Sequence, residues 1–238
     1  MTDAPARQRN DPAQYDDLAG EWWDPSGTFA MLHWIAAARA ALVPPASHPG
    51  ALLVDLGCGG GLLAPHVAGL GYDHVGVDLT RSALVAARDH GVVVGRGDVT
   101  ALPLPDGVAD VVCAGEILEH VADVASTVAE ACRVLRPGGW LIIDTIAATR
   151  LARLVAVRIA ERIPGAAPPG LHDPGLFVDR RALRACGARH GVRLQLRGLR
   201  PSLVDSASWL LGRRRPVRMV PTPSTAILFQ AYGRKGST

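Results

Sequence analysis

A doubly wound α/β fold, built on a mostly parallel sheet of seven strands, is predicted by three observations. Short apolar runs alternate with helical patterns from Ala51 to Ile143, which is the rhythm of consecutive β-α-β units. The run Ala51-Leu52-Leu53-Val54 passes into the glycine cluster Gly57-Cys58-Gly59-Gly60-Gly61 and then into Leu62-Leu63-Ala64. That succession reads as buried strand, sharp turn and helix start, a cradle for an anionic ligand. Acids then stand at or just beyond the ends of the next two strands, at Asp78 and Asp98.

The 238 residues suffice for one substantial domain with a real core, and the whole chain reads as a single unit. Residues 1–14 are too polar to hold structure, and no apolar signal-peptide core or membrane-spanning run follows, so a cytoplasmic protein is expected. Cys58, Cys113, Cys132 and Cys186 lack C-x-x-C spacing, which argues against a zinc site or a disulfide framework. A net charge of +3 is too small to point to nucleic acid. Lys235 is the sole lysine, so arginine supplies every other basic side chain.

Taken in order, an aromatic stretch containing Trp22 and Trp23 leads into a helix from Phe29 to Leu42, stopped by Pro44 and Pro45. The paired tryptophans belong either to the core or to a flank covering the ligand site. Arg39 on that helix is placed to reach a ligand carboxylate, or else stands in solvent. The helix over 62–70 ends at Gly71, and the strand His74–Asp78 follows. Asp78 suits ribose hydroxyls about twenty residues past the glycines; the rival role is capping the helix near Ser82. A strand at Val92–Val94 leads to Asp98, placed for an adenine amino group, with Leu79 and Val99 beside the two acids. The strand Ala109–Ala114 runs into Gly115, and a helix from Val124 to Leu135 ends in the turn Arg136-Pro137-Gly138-Gly139 before the strand at Trp140–Ile143.

Residues 147–177 interrupt the rhythm. A helix over 149–163 puts Ala152, Val155, Ile159 and Ile163 on one face and carries Arg150, Arg153, Arg158 and Arg162. It reads as a lid over the site, as a basic amphipathic helix at a membrane surface, or as both at once. Pro164–Gly170 reads as a loop, Arg180–His190 as a helix, Val192–Leu196 as a strand, 213–215 as a basic loop and Ala226–Tyr232 as the closing strand.

The glycine cluster fits the dinucleotide fingerprint poorly, because Leu62 stands where the third glycine should be when the pattern is read from Gly57. The stretch Asp55-x-Gly57-x-Gly59-x-Gly61 instead resembles the first motif of class I S-adenosylmethionine (SAM) methyltransferases. Glu116, Glu119 and His120 follow at helical i, i+3 and i+4 spacing beside the same crevice. Two carboxylates and an imidazole suit Mg²⁺, and the alternative is an orienting acid with a basic histidine. The segment Trp22-Trp23-Asp24-Pro25-x-Gly27 with Phe29, Leu32-His33 and Ile35 narrows the likeness. Together with Glu116-x-Leu118-Glu119-His120-Val121, Pro137-Gly138-Gly139 and His172-Asp173, it is similar to the ubiquinone-biosynthesis O-methyltransferases. The likeness fades beyond Leu183, and Ala36-Ala37 replace the family's usual Asn-Pro.

That resemblance implies SAM as cofactor and carries cofactor roles to Arg39, Gly57, Asp78 and Gly115; Asp55, Gly59, Gly61, Leu79, Asp98 and Val99 complete the expected cofactor site by position. It implies Glu116, Glu119 and His120 as a Mg²⁺ triad, and a phenolic, lipid-like acceptor approached from a membrane through the 149–163 helix. His120 and His172 are the candidate general bases if no metal takes part. A soluble secondary-metabolite phenol and a non-catalytic binding scaffold are the competing readings.

Overall fold

The computed structural model describes residues 9–11, 13–163, 168, 170–213 and 215–236. Its centre is an eight-stranded sheet: β1 (Ala51–Leu56), β2 (Tyr72–Asp78), β3 (Val93–Arg96), β4 (Ala109–Gly115), β5 (Leu135–Ile146), β6 (Gln195–Pro201), β7 (Met219–Thr222) and β8 (Leu228–Arg234). The order across it is β3-β2-β1-β4-β5-β8-β6-β7. β1 to β5 pair in parallel, β8 lies antiparallel to β5, and β6 and β7 complete an antiparallel edge. The strand order reverses between β1 and β4, and at such a point the strand ends diverge into a crevice.

Both faces of the sheet are covered, which is why its central strands read as unbroken apolar runs. Alternation then sends successive residues to opposite layers. Val54, Leu56, Val112 and Leu141 pack with Val128 and Cys132 of helix α5 (Val124–Val134) and Leu183 of α7 (Arg180–Arg189). Leu53, Val111 and Ile142 pack on the other face with Ala40 and Val67. Those belong to α2 (Ala30–Ala40) and α3 (Ala64–Val67), and α4 (Arg81–Asp89) joins β2 to β3. Side-chain caps mark several helix starts: Asp123 accepts from Ser126 N, and Asp179 from the amides of Arg181 and Ala182. All four cysteines are buried as free thiols, and burial raises the pKa of Cys58, Cys113 and, to about 12, Cys132.

Several elements differ from expectation. The sheet has eight strands because residues 219–222 pair with β6, in a stretch too short and mixed to show alternation. β6 begins at Gln195 rather than Val192, whose only pairing is an isolated bridge to Lys235. β8 begins at Leu228, two residues later than expected, and α3 begins at Ala64. The expected turn at 136–139 is a bulge within the start of β5. There the register jumps from Ala109↔Leu135 to Val111↔Trp140.

The 149–163 helix is present but irregular. It starts as α6 (Arg150–Ala152), with Thr149 capping, and widens into π turns over Arg153–Ile159 before a 3-10 turn at Ala160–Arg162. A helix absent from the sequence reading, α8 (Leu203–Ser208), links β6 to β7 and continues as wider turns over Trp209–Arg213. Of the loops, 164–167, 169 and 214 lie outside the described residues, as do 1–8 and 12 of the terminus expected to lack structure. The rest of that terminus is held down. Ala13–Asp17 forms the short helix α1, and Asn10 N bonds to Gly170 O.

Candidate active site

A cavity of about 420 Å³ opens over the carboxyl ends of β1, β2 and β4, at the point where strand order reverses. Among the sequence-predicted residues it is lined by Arg39, Asp55, Gly57, Gly59, Asp78, Leu79, Asp98, Val99, Gly115, Glu116, His120 and His172. Gly61 and Glu119 support the wall from behind. Gly61, at φ +80°, backs onto Ala87, and Glu119 is wholly buried.

The glycine loop is shaped by what presses on it. Gly57 sits at φ +64°, and a Cβ there would come within 2.6 Å of Ile117. Trp22 covers the loop so closely that a Cβ at Gly59 or Gly60 would lie 2.7 or 2.6 Å from its ring. The indole of Trp23 donates to Gly60 O at 2.9 Å and stacks on His90 with centroids 3.6 Å apart. Trp22 is thus both core and site wall, while Trp23 is partly buried and fastens the loop from outside the cavity. Asp78 braces the loop from the other side, accepting from Gly59 N at 2.9 Å and from Thr80 N at 2.8 Å. Burial raises its pKa and these amides oppose the rise. Asp98 at the rim accepts from the Thr100 amide and hydroxyl, which lowers its pKa.

Arg39 is buried rather than solvated, and its main partner is one the sequence did not reveal. Its Nε and Nη2 donate to the two oxygens of Asp144 at 2.7 and 3.1 Å, while Nη1 lies 3.9 Å from Asp55. Burial disfavours the guanidinium charge, but Asp144 and Asp55 outweigh it and raise the pKa. A Cβ on Gly115 would overlap this guanidinium, so the small residue makes room for the ion pair. Asp144 could have been sought on one ground, since an acid inside the apolar run Ile142–Ile146 needs a buried partner.

Beyond Gly115 the chain turns through Glu116, a non-glycine residue at φ +50°. Its carboxyl interacts directly with that of Glu119, and the Oε1 atom of each is buried without a donor. Thr145 donates to Glu119 Oε2 at 2.6 Å. Burial, and then the neighbouring acids, raise Glu116 well above the usual carboxyl range; burial pushes Glu119 to about 7. A pair of this kind holds one proton or a cation between its carboxyls.

His120 is turned away from that pair. Its Nδ1 lies 2.6 Å from Asn10 Oδ1, Asn10 Nδ2 donates to its carbonyl at 3.0 Å, and Nε2 faces the Tyr15 hydroxyl at 3.5 Å. The expected three-residue metal set is therefore not assembled. Among the described residues no group of three or more His, Cys, Asp or Glu is arranged around a common ion. The two carboxylates with orphaned oxygens do fit one. The histidines are also weaker bases than expected: burial lowers His120 to about 3 and His172, stacked 5.7 Å away, to about 4.

The cover of the cavity comes from both ends of the chain. Arg9 donates to Glu161 at 2.8 Å and to the His172 carbonyl at 2.8 Å, tying the N-terminal strap to the inserted segment. Val155 and Ile159 of that segment line the cavity, as the expected helix face requires, and Leu199 and Met219 line it from β6 and β7.

Comparison with known proteins gives this geometry a family. Residues 54–143, which hold the second half of β1, all of β2 to β4 and most of β5, match the methyltransferase domain family. A ubiquinone biosynthesis O-methyltransferase of Thiobacillus denitrificans is 37% identical over 191 residues, covering 77% of this chain and 82% of that one. Its counterpart in Burkholderia pseudomallei is 38% identical over 173 residues, covering 69% and 75%. A solved SAM-dependent methyltransferase of Thermotoga maritima shares the fold, with a TM-score of 0.64 at 20% identity over 93% of this chain and 96% of that one. With such identity sustained over most of both chains, this protein belongs to the ubiquinone-biosynthesis O-methyltransferase family and is a SAM-dependent methyltransferase.

Proposed function

We propose that the protein methylates a phenolic hydroxyl of a catechol- or quinol-type acceptor bearing a polyprenyl chain, as the names of its relatives suggest. One observation carries this reading. A single cavity joins the glycine cradle to Glu116, with Glu119 buried just behind it, and is lined further on by the apolar side chains of Val155, Ile159, Leu199 and Met219. A polar ring with an isoprenoid tail matches that sequence of surfaces.

In this reading the amides of the Gly57–Gly61 loop and the Arg39–Asp144 pair surround the amino-acid end of SAM. Asp78 takes the ribose hydroxyls, and Leu79, Asp98 and Val99 take the adenine. Transfer is an in-line displacement: the phenolic oxygen bonds to the methyl carbon, the sulfur–methyl bond breaks, and S-adenosylhomocysteine leaves. Holding the two reactants in line supplies much of the rate. A free phenol keeps its proton until about pH 10, so the site must help remove it. Glu116 and Glu119 would hold Mg²⁺, which when bound lowers the pKa of a chelated catechol. His120, fixed by Asn10 as a neutral ring, and His172 then bound the acceptor's side of the cavity rather than taking its proton.

Peripheral contact with a membrane through the inserted helix is part of the proposal. Leu151 and Leu154 are 48% and 47% exposed among its arginines, and no helix of the described residues is long and apolar enough to cross a bilayer.

The test is mass-detected methyl transfer from SAM to a short-prenyl dihydroxybenzoate, with Mg²⁺ and with chelator. Product that falls with chelator and with Glu116→Gln supports the assignment. Product that survives chelation moves the carboxyl pair to proton transfer. Bound SAM with no product in either tube overturns the catechol acceptor, and activity confined to unprenylated phenols turns it into a soluble one.

A further inference from the structure

The excursion between β6 and β7 carries the most exposed large aliphatic side chains among the described residues. Leu203 and Val204 are 73% and 76% exposed, and Leu210 and Leu211 are 66% and 81% exposed. With exposed Ala207 they recur at i, i+1, i+4, i+7 and i+8, which is one continuous stripe along a helix. The usual arrangement is inverted, since this stripe faces outward. The inversion is enforced by Trp209. That side chain is buried against Trp34 of α2, ring centroids 4.9 Å apart in edge-to-face contact, with Val217 beside it. A helix seated by Trp209 cannot also bury Leu210 and Leu211. Ser202 caps its start, and Asp205 is bound to Arg218 at 2.7 Å, so the acid on this segment is already answered by a base.

We propose that this α8 segment docks on the surface of an anionic phospholipid bilayer, independently of the inserted helix. Charge favours that occupant: residues 200–218 hold five arginines, at 200, 213, 214, 215 and 218, against the single acid Asp205. Size disfavours a second copy of the chain, because a few aliphatic side chains fall short of the ~800 Å² each partner contributes to a stable interface. Position gives the contact a use. The strands flanking α8 supply Leu199, Arg200, Pro201 and Met219 to the cavity wall, so an inserted stripe sets one rim of the cavity at the lipid boundary. The docking holds whether or not the acceptor is a polyprenyl phenol.

The test is co-sedimentation of the full chain with vesicles of phosphatidylcholine plus phosphatidylglycerol, and with phosphatidylcholine alone. Wild type is expected to bind the mixed vesicles, more weakly in high salt, and L203D/L211D to lose about tenfold or more in affinity. The same variant keeps its SAM-induced rise in melting temperature and its rate on a soluble short-chain acceptor, which separates failure of docking from failure of the catalytic reading. L203Q/L211Q serves if the charged pair lowers the yield of folded protein, and Arg215→Gln reports the electrostatic share. A lid variant, L151D/L154D, shows whether the two contacts are separate. Equal vesicle binding by L203D/L211D and wild type overturns the proposal. So does a wild type that ignores both vesicles, and so does a dimer that the variant abolishes, which would make a second copy the occupant.

Discussion

Arg39 and Asp144 meet across 105 residues of sequence, and the whole cradle leans on that meeting. Because Gly115 is the spacer that admits the guanidinium, Gly115→Ala should displace it and leave Asp144 buried without its partner. We expect a loss of about 3–5 kcal/mol in urea unfolding, as for other broken buried pairs, and at least about tenfold weaker SAM binding by calorimetric titration. Glu119 makes a different prediction. Its pKa of about 7 in the folded state stands above the ordinary 4.5, so the native protein keeps a proton that the unfolded chain has released. The stability this carboxyl contributes is full below about pH 4.5 and is lost as pH rises towards about 7. Glu119→Gln should flatten that slope, measured by urea unfolding across the interval with chelator present; an unchanged slope would place the proton elsewhere. At this scale the chemistry-bearing residues of the parallel half were legible, since Gly57, Asp78, Gly115 and Glu116 stand at fixed offsets from strand ends. Asp144, Thr145 and Asn10 were not, because their roles come only from partners far away in sequence.

Among elements, those that bury two faces or carry a cap announced themselves, and those defined by a neighbour did not. β1, β4 and α5 show either continuous apolar runs or a capping acid. β7 is four residues long and exists because β6 lies beside it, while α8 turns its apolar side outward and so defeats any reading based on burial. The N-terminal strap looked unstructured for the same reason, having polar composition but distant anchors. Its grip on the inserted segment can be tested by Arg9→Ala, which removes the bonds to Glu161 and the His172 carbonyl. A ~1 kcal/mol change is all that such a partly exposed contact should cost globally. Limited proteolysis and hydrogen exchange in the 149–163 helix should nevertheless rise several-fold, because that segment draws few other long-range bonds. Protection equal to wild type would show that the lid holds itself.

The molecule as a whole divides its labour along the sheet. The parallel side, β3-β2-β1-β4-β5, builds the crevice and falls largely within the matched domain; under the proposed function it holds the cofactor, and the antiparallel side, with the strap and the insertion, shapes the acceptor's space. Binding to the native state alone must therefore stabilise the fold. SAM or S-adenosylhomocysteine at about a hundred times its dissociation constant should add roughly 2.7 kcal/mol, seen as a rise in melting temperature that Asp78→Ala diminishes. The division also has a temporal side. Arg9 and His172 lie 163 residues apart, so at ~5–20 residues per second roughly 8–30 s of synthesis separate the two ends of the roof. The last parallel strand ends at Ile146, so a growing chain finishes its crevice only ~1–5 s before His172 is made, and closure then waits on the most non-local contacts of the site, which are the slowest to form. Through that interval the nascent protein displays an uncovered greasy bowl, and it is then, rather than after release, that it would depend most on a chaperone.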